Sequence, residues 1–279
     1  MDIVTQPQAV RSILMIHLGY LAISPAYAVS GLLVGLLVGL TGVGGGSLMT
    51  PLLVMMFGFH PSTAVGTDLL FAAVTKTVGT TIHSAGKTID WRIVGRLATG
   101  SVPATILTLL VVAHFGVSSK AITHAISFTL GLVLVISAVT LLFKDWIIAQ
   151  ASKRFPDLAS ATPAWKTILV GLVLGVLVSL TSVGAGALGT IALLLLYPRL
   201  PVVRIVGSDI AHAVPLTLLA GLGHWYLGTI NFALLGSLLV GSVPGIILGS
   251  YTARFAPDAL LKSALGIILA IVGIKLLSS

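Results

Sequence analysis

Long apolar segments alternate with short polar ones along most of the chain. Each apolar segment is about 20 residues long, the length that an α-helix needs to cross the hydrocarbon core of a membrane. The alternation predicts membrane-spanning helices at residues 66–83, 92–113, 120–143, 206–224, 233–253 and 259–277. Pro103 lacks a backbone donor, and we expect it to break the second of these helices.

Two further apolar segments are interrupted by small residues. The first interruption reads Thr41-Gly42-Val43-Gly44-Gly45-Gly46-Ser47 and lies between apolar arms at residues 29–41 and 47–57. Each glycine within a helix costs about 1 kcal/mol relative to alanine, so this sequence predicts a break between two helical arms. In lipid, a broken backbone is tolerated only where protein or a water-filled cavity satisfies its polar groups. We therefore expect the break to line a cavity.

The interrupted segment occurs twice. Its second copy, Thr181-Ser182-Val183-Gly184-Ala185-Gly186, lies between arms at residues 166–181 and 187–197. Further along, Gly100-Ser101-Val102-Pro103 recurs unchanged as Gly241-Ser242-Val243-Pro244. Tight packing of helices through small residues is one interpretation. Paired broken segments in corresponding halves are, however, typical of the binding site of a secondary transporter. The predicted divisions of the chain are an N-terminal segment at 1–28, a first repeat at 29–143, a linker at 144–165 and a second repeat at 166–279.

The N-terminal segment carries a short apolar run from Ile13 to Ile23. Ala26-Tyr27-Ala28 resembles the small-residue cleavage site of a signal peptide. We favour an uncleaved segment that forms either an additional short crossing at residues 12–28 or a helix at the membrane surface.

The composition identifies an integral membrane protein. Hydrophobic residues make up 57% of the chain and charged residues 8%, whereas soluble domains carry about 25% charged residues. The net charge of +8 lies mostly in loops between apolar segments, which indicates membrane orientation rather than binding of nucleic acid. The chain has no cysteine, which excludes disulfides and thiolate metal sites. It has no HExxH or GxSxG motif either, so we predict neither an enzyme nor a metal or cofactor site.

The basic residues of the loops favour one of two topologies. If each broken segment crosses the membrane once, these residues divide nine to five between the two sides; if each is a re-entrant hairpin, they divide eleven to three. In the hairpin arrangement the larger set is Lys87, Arg92, Arg96, Lys144, Lys153, Arg154, Lys166, Arg199, Arg204, Arg254 and Lys262, and the smaller set is Arg11, Lys120 and Lys275. The arm at 47–57 would also measure about 16 Å, roughly half of the hydrocarbon core.

These observations predict an all-α integral membrane protein with two inverted-topology repeats. Each repeat would consist of a re-entrant broken-helix hairpin and three transmembrane helices. The linker at 144–165 would lie in the cytoplasm and the C-terminus outside the inner (cytoplasmic) membrane. The predicted partners are the lipid bilayer and a small solute, with no nucleic acid, and the arrangement is compatible with a homo-oligomer.

Two inverted hairpins would meet near the membrane midplane at their glycine turns. The second arms would then present helix N-termini, whose partial positive charge and free amides favour an anion. Glycine also allows a ligand to approach the backbone closely. The predicted substrate-binding residues are Thr41, Gly44, Gly45, Gly46, Ser47, Lys76, Thr181, Gly184 and Gly186.

Ionisable residues within membrane segments are costly and usually functional. Lys76 would either set the charge of the anion site or neutralise Asp68. For Asp68 and Asp209 the alternatives are a role in the first turn of their own helices and a role in proton coupling. In the second case His212, one turn after Asp209, would exchange protons. His224 lies near a helix end, and we interpret it as an anchor at the membrane surface.

Three motifs within this duplicated chain carry a resemblance to a known family. They are Gly42-Val43-Gly44-Gly45-Gly46 followed by Pro51-Leu52-Leu53, then Ala64-Val65-Gly66-Thr67, and then the loop with His83, Gly86 and Asp90-Trp91. With them the sequence resembles the sulfite exporter TauE/SafE family. The resemblance implies a secondary transporter that exports a small sulfur-containing anion, such as sulfite or a sulfonate, by alternating access. The alternatives are a cation transporter that uses Asp68 and Asp209, and a membrane accessory protein that does not transport.

Overall fold

The computed structural model describes residues 16–18, 21–41, 46–144, 146–147, 149–150, 163–252 and 258–278. The predicted all-α architecture is confirmed apart from one short pair of β-strands before the first helix. Helices of the first half are α1 (Pro25–Thr41), α2 (Gly46–Met55), α3 (Pro61–Ala85), α4 (Trp91–Phe115) and α5 (Lys120–Leu142). Helices of the second half, in the corresponding order, are α6 (Ala164–Thr181), α7 (Ala187–Leu196), α8 (Val202–Tyr226), α9 (Phe232–Thr252) and α10 (Asp258–Leu277).

Residues at corresponding positions cap the start of corresponding helices, α4 in the first half and α9 in the second. Asp90 accepts hydrogen bonds from the backbone N–H groups of Arg92 and Ile93 at the start of α4. Asn231 accepts one from the N–H of Leu234 at the start of α9. Aspartate and asparagine are preferred at this position because their side chains satisfy amides that have no partner within the helix.

Helices long and apolar enough to cross a bilayer are α4, α5, α6, α8 and residues Phe232–Gly249 of α9. Helix α3 has 25 residues and is about 38 Å long, so it could span a bilayer as well. It is much more polar, because it carries Asp68, Lys76 and eight serine and threonine residues. The chain is therefore a multi-pass membrane protein in which one long helix is set apart by its polar side chains.

Two local predictions differ from the structure. The N-terminal segment does not form the expected helix before Pro25: strand β1 (Ile16–Leu18) pairs with strand β2 (Leu21–Ile23) in an antiparallel manner. Glycine is a poor helix former, and Gly19 falls between the two short apolar runs.

The predicted break at Pro103 is also wrong, since α4 continues through it. Helices in membranes tolerate proline because neighbouring helices and hydroxyl side chains can satisfy the freed backbone groups.

The chain forms two compact units that do not follow the two repeats. The first is Met1–Gly42 with Asn231–Phe255, and the second is Val43–Ile230 with Ala256–Ser279. Each unit therefore combines segments from both halves of the sequence.

The first unit pairs α1 with α9 at very close range. A Cβ atom on Gly31 would overlap the backbone of Leu238, and one on Gly35 would overlap the backbone of Ser242. From the first of these contacts to the second, the residue number rises by four in both helices, so the two helices run parallel. Small residues at this spacing allow helix backbones to approach each other within a membrane.

The second unit contains the corresponding pair, α4 with α6, in the same parallel arrangement. Gly171 lies against the carbonyl of Leu97, and Gly175 lies against that of Ser101. If this register continues, the last residue of α6 is level with Leu107, eight residues or about 12 Å before α4 ends. The turn after α6 therefore lies within the length of α4 rather than at its end.

Corresponding helices of the two halves also pack on each other in the second unit. Gly66 of α3 lies against His224 of α8, and Leu70 of α3 lies against Gly221 of α8. From the first of these contacts to the second, the residue number rises in α3 and falls in α8. Helices α3 and α8 are therefore antiparallel.

The last helices of the two halves, α5 and α10, pack in the same way. Gly131 lies against Gly273, and Leu142 lies against Gly266, so this pair is antiparallel too. Side chains on the outer faces of the long helices, such as Leu107 and Ile271, are large, apolar and more than 60% exposed. In a soluble monomer such surfaces would be unusual, whereas in a membrane they contact lipid.

Candidate solute site

The break between α6 and α7 is a tight turn. Ser182 has a left-handed backbone conformation with φ of 60°, and Gly184 and Gly186 both have φ of 125°. Glycine adopts such angles without the steric cost that a side chain brings. The hydroxyl of Thr181 accepts a hydrogen bond from the Val183 N–H at 3.1 Å. Thr181, one of the predicted ligands, therefore stabilises the conformation of the turn.

The corresponding turn of the first half lies in part outside the described residues. Among the predicted ligands, Gly44 and Gly45 lie outside the described residues, and so do the side chains of Thr41 and Ser47. Helix α1 ends at Thr41, and α2 begins at Gly46. The predicted ligands of the first broken segment therefore stay predictions.

A buried carboxylate lies on the first turn of α7. Asp209, which belongs to α8, accepts a hydrogen bond from the Thr190 hydroxyl at 2.8 Å. The backbone N–H groups of Gly186 and Thr190 face the same carboxylate. A Cβ atom on Gly189 would overlap a carboxylate oxygen of Asp209, so glycine at this position permits the approach. A negative charge is stabilised at this place because it is the positive end of the helix dipole.

The first half repeats this contact with corresponding residues. Asp68 of α3 accepts hydrogen bonds from the hydroxyl of Thr50 at 2.5 Å and from its N–H at 3.2 Å. Helices α3 and α8 each begin seven residues before their aspartate, so a role in the first turn of its own helix is wrong for both Asp68 and Asp209. Each instead accepts hydrogen bonds from the short helix that precedes it in the chain.

Lys76 is the buried cation of this region. Its side chain is 4% exposed, and its ammonium donates a hydrogen bond to the Ala185 carbonyl at 3.0 Å. The ammonium also interacts electrostatically with Asp209 and with Asp68. Within the described part of the chain, no ion pair joins Lys76 to either carboxylate. Both predicted roles of Lys76 are thus compatible with its position, since it contacts the turn and faces both acids.

The two halves differ at this position. The residue that corresponds to Lys76 in the second repeat is Thr217. Its hydroxyl donates a hydrogen bond to the Ala213 carbonyl of its own helix at 2.8 Å. The Lys76 ammonium therefore has no counterpart in the second half, and it lies at the turn between α6 and α7 of that half.

His212 extends the same cluster. Its Nε2 atom lies 2.8 Å from the Ser101 hydroxyl of α4, and its ring interacts electrostatically with Lys76. It follows Asp209 by one helical turn, as the sequence indicates. Sequence reasoning missed Ser101. The signal available was its place in the Gly-Ser-Val-Pro motif that both halves share.

Several buried polar atoms around Lys76 have no hydrogen-bond partner in the described part of the protein. They are Asp68 Oδ1, Ser182 Oγ, Asp209 Oδ1 and His212 Nδ1. Ser182 lies near the Asp68 carboxyl without completing a hydrogen bond to it. An unpaired buried polar group costs about 1–3 kcal/mol, and native proteins pair nearly all of them. This concentration of unused donors and acceptors is expected of a site that binds a polar solute.

His224 has a different role from the one predicted. Its ring is fully buried, with Nδ1 3.0 Å from the Thr229 hydroxyl and Nε2 3.0 Å from the Ser179 carbonyl. An anchor at the membrane surface would be exposed, so that interpretation is wrong. His224 ties the end of α8 to α6 and to the loop that follows α8.

Comparisons with known proteins agree with the membrane architecture. The family model described as sulfite exporter TauE/SafE matches residues 27–276. "Probable membrane transporter protein YjnA" of Bacillus subtilis (strain 168) is 40% identical over 252 residues, which cover 88% of this chain and 97% of that protein. "Probable membrane transporter protein YdhB" of the same organism is 27% identical over 249 residues, which cover 88% of this chain and 96% of that protein. No solved structure matches the chain.

Proposed function

Because the chain belongs to the sulfite exporter TauE/SafE family, we propose that it exports a small oxyanion across the cytoplasmic membrane. The family and the relatives identify a membrane transporter, not an enzyme. The proposed substrate is a sulfur-containing anion such as sulfite or a sulfonate. The observation that carries this proposal is the buried Lys76 ammonium at the turn of the second hairpin.

The donors around that turn suit an oxyanion. An ammonium group has three N–H donors, and the Ala185 carbonyl accepts only one of those of Lys76. The hydroxyl of Ser182 is a further donor without a hydrogen-bond partner in the described part of the chain. Sulfite, thiosulfate and sulfonates all present several oxygens to such donors. The proposed site therefore selects for charge and size more than for one particular anion.

The charges of the cluster favour the entry of a proton with the anion. One ammonium faces two buried carboxylates, which leaves one net negative charge when all three groups are ionised. An additional anion would be repelled at short range in this buried setting. A proton on Asp209, shared with the adjacent His212, would remove the excess negative charge. We infer that anion and proton bind together and move in the same direction, so that a higher concentration of the anion in the cytoplasm drives the export.

Alternating access between two inverted repeats completes the proposed mechanism. The antiparallel packing of α3 with α8 and of α5 with α10 supports inverted repeats. The end of α6 partway along α4 supports a broken segment whose turn lies beside the long helices rather than beyond their ends. The side on which each loop lies follows from the distribution of basic residues, with the central linker in the cytoplasm and the C-terminus outside.

A cation transporter is the second candidate, and the two buried carboxylates are the observation that favours it. Asp68 and Asp209 each have one oxygen without a hydrogen-bond partner among the described residues, as a cation ligand would. The ammonium of Lys76 faces both acids, however, and would repel a cation from the space between them.

Flux measurements in proteoliposomes distinguish the two candidates. Purified protein would be tested with labelled sulfite, labelled sodium and a labelled divalent cation, each against protein-free vesicles. Transport of sulfite that unlabelled sulfite or a sulfonate competes away would support the proposal. Saturable flux of a cation without flux of any oxyanion would contradict it.

A further inference from the structure

A cavity of about 460 Å³ lies away from Lys76, in the second compact unit. It is formed by the start of α5, the loop between α2 and α3, and the end of α10. The polar residues that line it are His60, Ser118, Lys120, Thr123, His124 and Ser127. It shares no residue with the cluster around Lys76. Its volume is within the range of sites that bind small molecules.

The lining of this cavity is basic. Lys120 carries a full positive charge, and the rings of His60 and His124 are the other ionisable groups. None of the lining residues is acidic. Lys120 is also the first residue of α5, a helix of 23 residues whose first amides add partial positive charge. The cavity is therefore suited to an anion.

The two histidine rings of the cavity are held by contacts with neighbouring side chains. His60 Nδ1 lies 2.8 Å from the Ser62 hydroxyl, while its Nε2 has only a long contact of 3.4 Å to Thr123. His124 stacks on Phe128, with ring centroids 6.2 Å apart and planes 8° from parallel. Because these rings are already oriented, binding an anion would cost little additional side-chain entropy.

Apolar side chains continue the cavity toward the surface that faces lipid. Phe128 and Leu277 belong to its lining and are 50% and 38% exposed. A basic pocket beside apolar helix faces can hold an anionic headgroup while the acyl chains lie along the helices, here at the extracytoplasmic surface where the predicted topology places Lys120. We propose that this cavity binds a phosphate group at the membrane surface. The phosphate of an anionic phospholipid and free inorganic phosphate share the relevant chemistry.

Thermal unfolding of the purified full-length protein in nanodiscs tests the site. In one arm, phosphatidylglycerol is added to discs of neutral phosphatidylcholine; in the other, inorganic phosphate is added to neutral discs. A ligand that binds only the folded protein raises its unfolding temperature. The test protein is the double variant Lys120→Gln with His124→Gln. The control is Lys275→Gln, which removes an exposed charge near the end of α10 outside the cavity.

We expect the wild-type protein and the Lys275→Gln protein to show the same rise in unfolding temperature, and the double variant to lose it. Loss in the phosphatidylglycerol arm identifies a lipid headgroup, and loss in the inorganic phosphate arm identifies the free ion. Lys120→Arg should retain the shift, which shows that charge rather than folding is responsible. An equal shift in all variants, an equal loss in Lys275→Gln, or no shift with either ligand would overturn the proposal.

Discussion

The ammonium of Lys76 lies 3.0 Å from the backbone carbonyl of Ala185, and this hydrogen bond joins a helix of the first half to the turn of the second. The turn offers no such cation of its own, since the corresponding position in the second half is Thr217. The two halves are thus alike in their helices but unlike in charge. The region therefore combines one positive group and two acids with a turn in which Ser182 has a left-handed backbone conformation.

Replacing Lys76 by glutamine should reduce anion transport at least about tenfold. The amide can still donate to Ala185, but the charge that attracts the anion is lost, and removing one partner of a buried charge interaction costs about 2–5 kcal/mol. Labelled sulfite flux in proteoliposomes measures the effect. Lys87→Gln, an exposed substitution in the loop after α3, is the control and should leave flux unchanged. Wild-type flux in the Lys76→Gln protein would exclude the charge from the mechanism.

Alanine at Gly189 should displace Asp209 from the first turn of α7. The added Cβ would overlap the carboxylate, and such overpacking costs about 1–3 kcal/mol. Gly95→Ala in α4 is the matched control, because no atom lies near its Cβ position and alanine favours a helix by up to about 1 kcal/mol. Thermal unfolding in detergent should show a lower midpoint for Gly189→Ala and an equal or higher one for Gly95→Ala. Equal midpoints for the two variants would contradict the close contact.

The positions of the helices could be predicted from the sequence because apolar length and interrupting glycines are local signals. The bounds of α5 and α7 differ from the prediction by no more than one residue at either end. Lys76 could be singled out for the same reason, since a charge within an apolar helix is visible without any partner.

The partners of the buried acids could not be predicted in this way. The sequence places Asp68 and Asp209 in the first turn of their helices, because it predicts helix starts at Gly66 and near residue 206, whereas the helices begin at Pro61 and Val202. Their contacts with Thr50 and Thr190 join separate helices, and spacing along the chain does not report such contacts. The hydrogen bond between Ser101 and His212 spans 111 positions and was missed for the same reason.

Asparagine at position 209 should abolish the dependence of transport on a pH gradient. The amide oxygen can still accept from Thr190, but the side chain can no longer carry a proton. With the wild-type protein, labelled anion should move from the acidic to the alkaline side of a vesicle. Asp90→Asn is the control, because asparagine caps a helix as well as aspartate does, and the ion pair that it removes, with Arg204 at 3.6 Å, is partly exposed and contributes little. A pH response of wild-type size in the Asp209→Asn protein would exclude that residue from proton coupling.

Reporters at two places in the chain should lie on opposite sides of the membrane. The distribution of basic residues predicts an extracytoplasmic C-terminus and a cytoplasmic linker. A reporter fused after Ser279 should therefore be active outside, and one inserted near Ser160 should be active in the cytoplasm. Both reporters on the same side would contradict the inverted arrangement.

The most direct test of the anion site is a structure of the protein in lipid nanodiscs with saturating sulfite. The predicted result is density for the anion within hydrogen-bonding distance of the Lys76 ammonium and next to the turn that contains Ser182. The same density should be missing from the Lys76→Gln protein under identical conditions. Density for sulfite at a place remote from both glycine turns, or unchanged density in Lys76→Gln, would contradict the assignment.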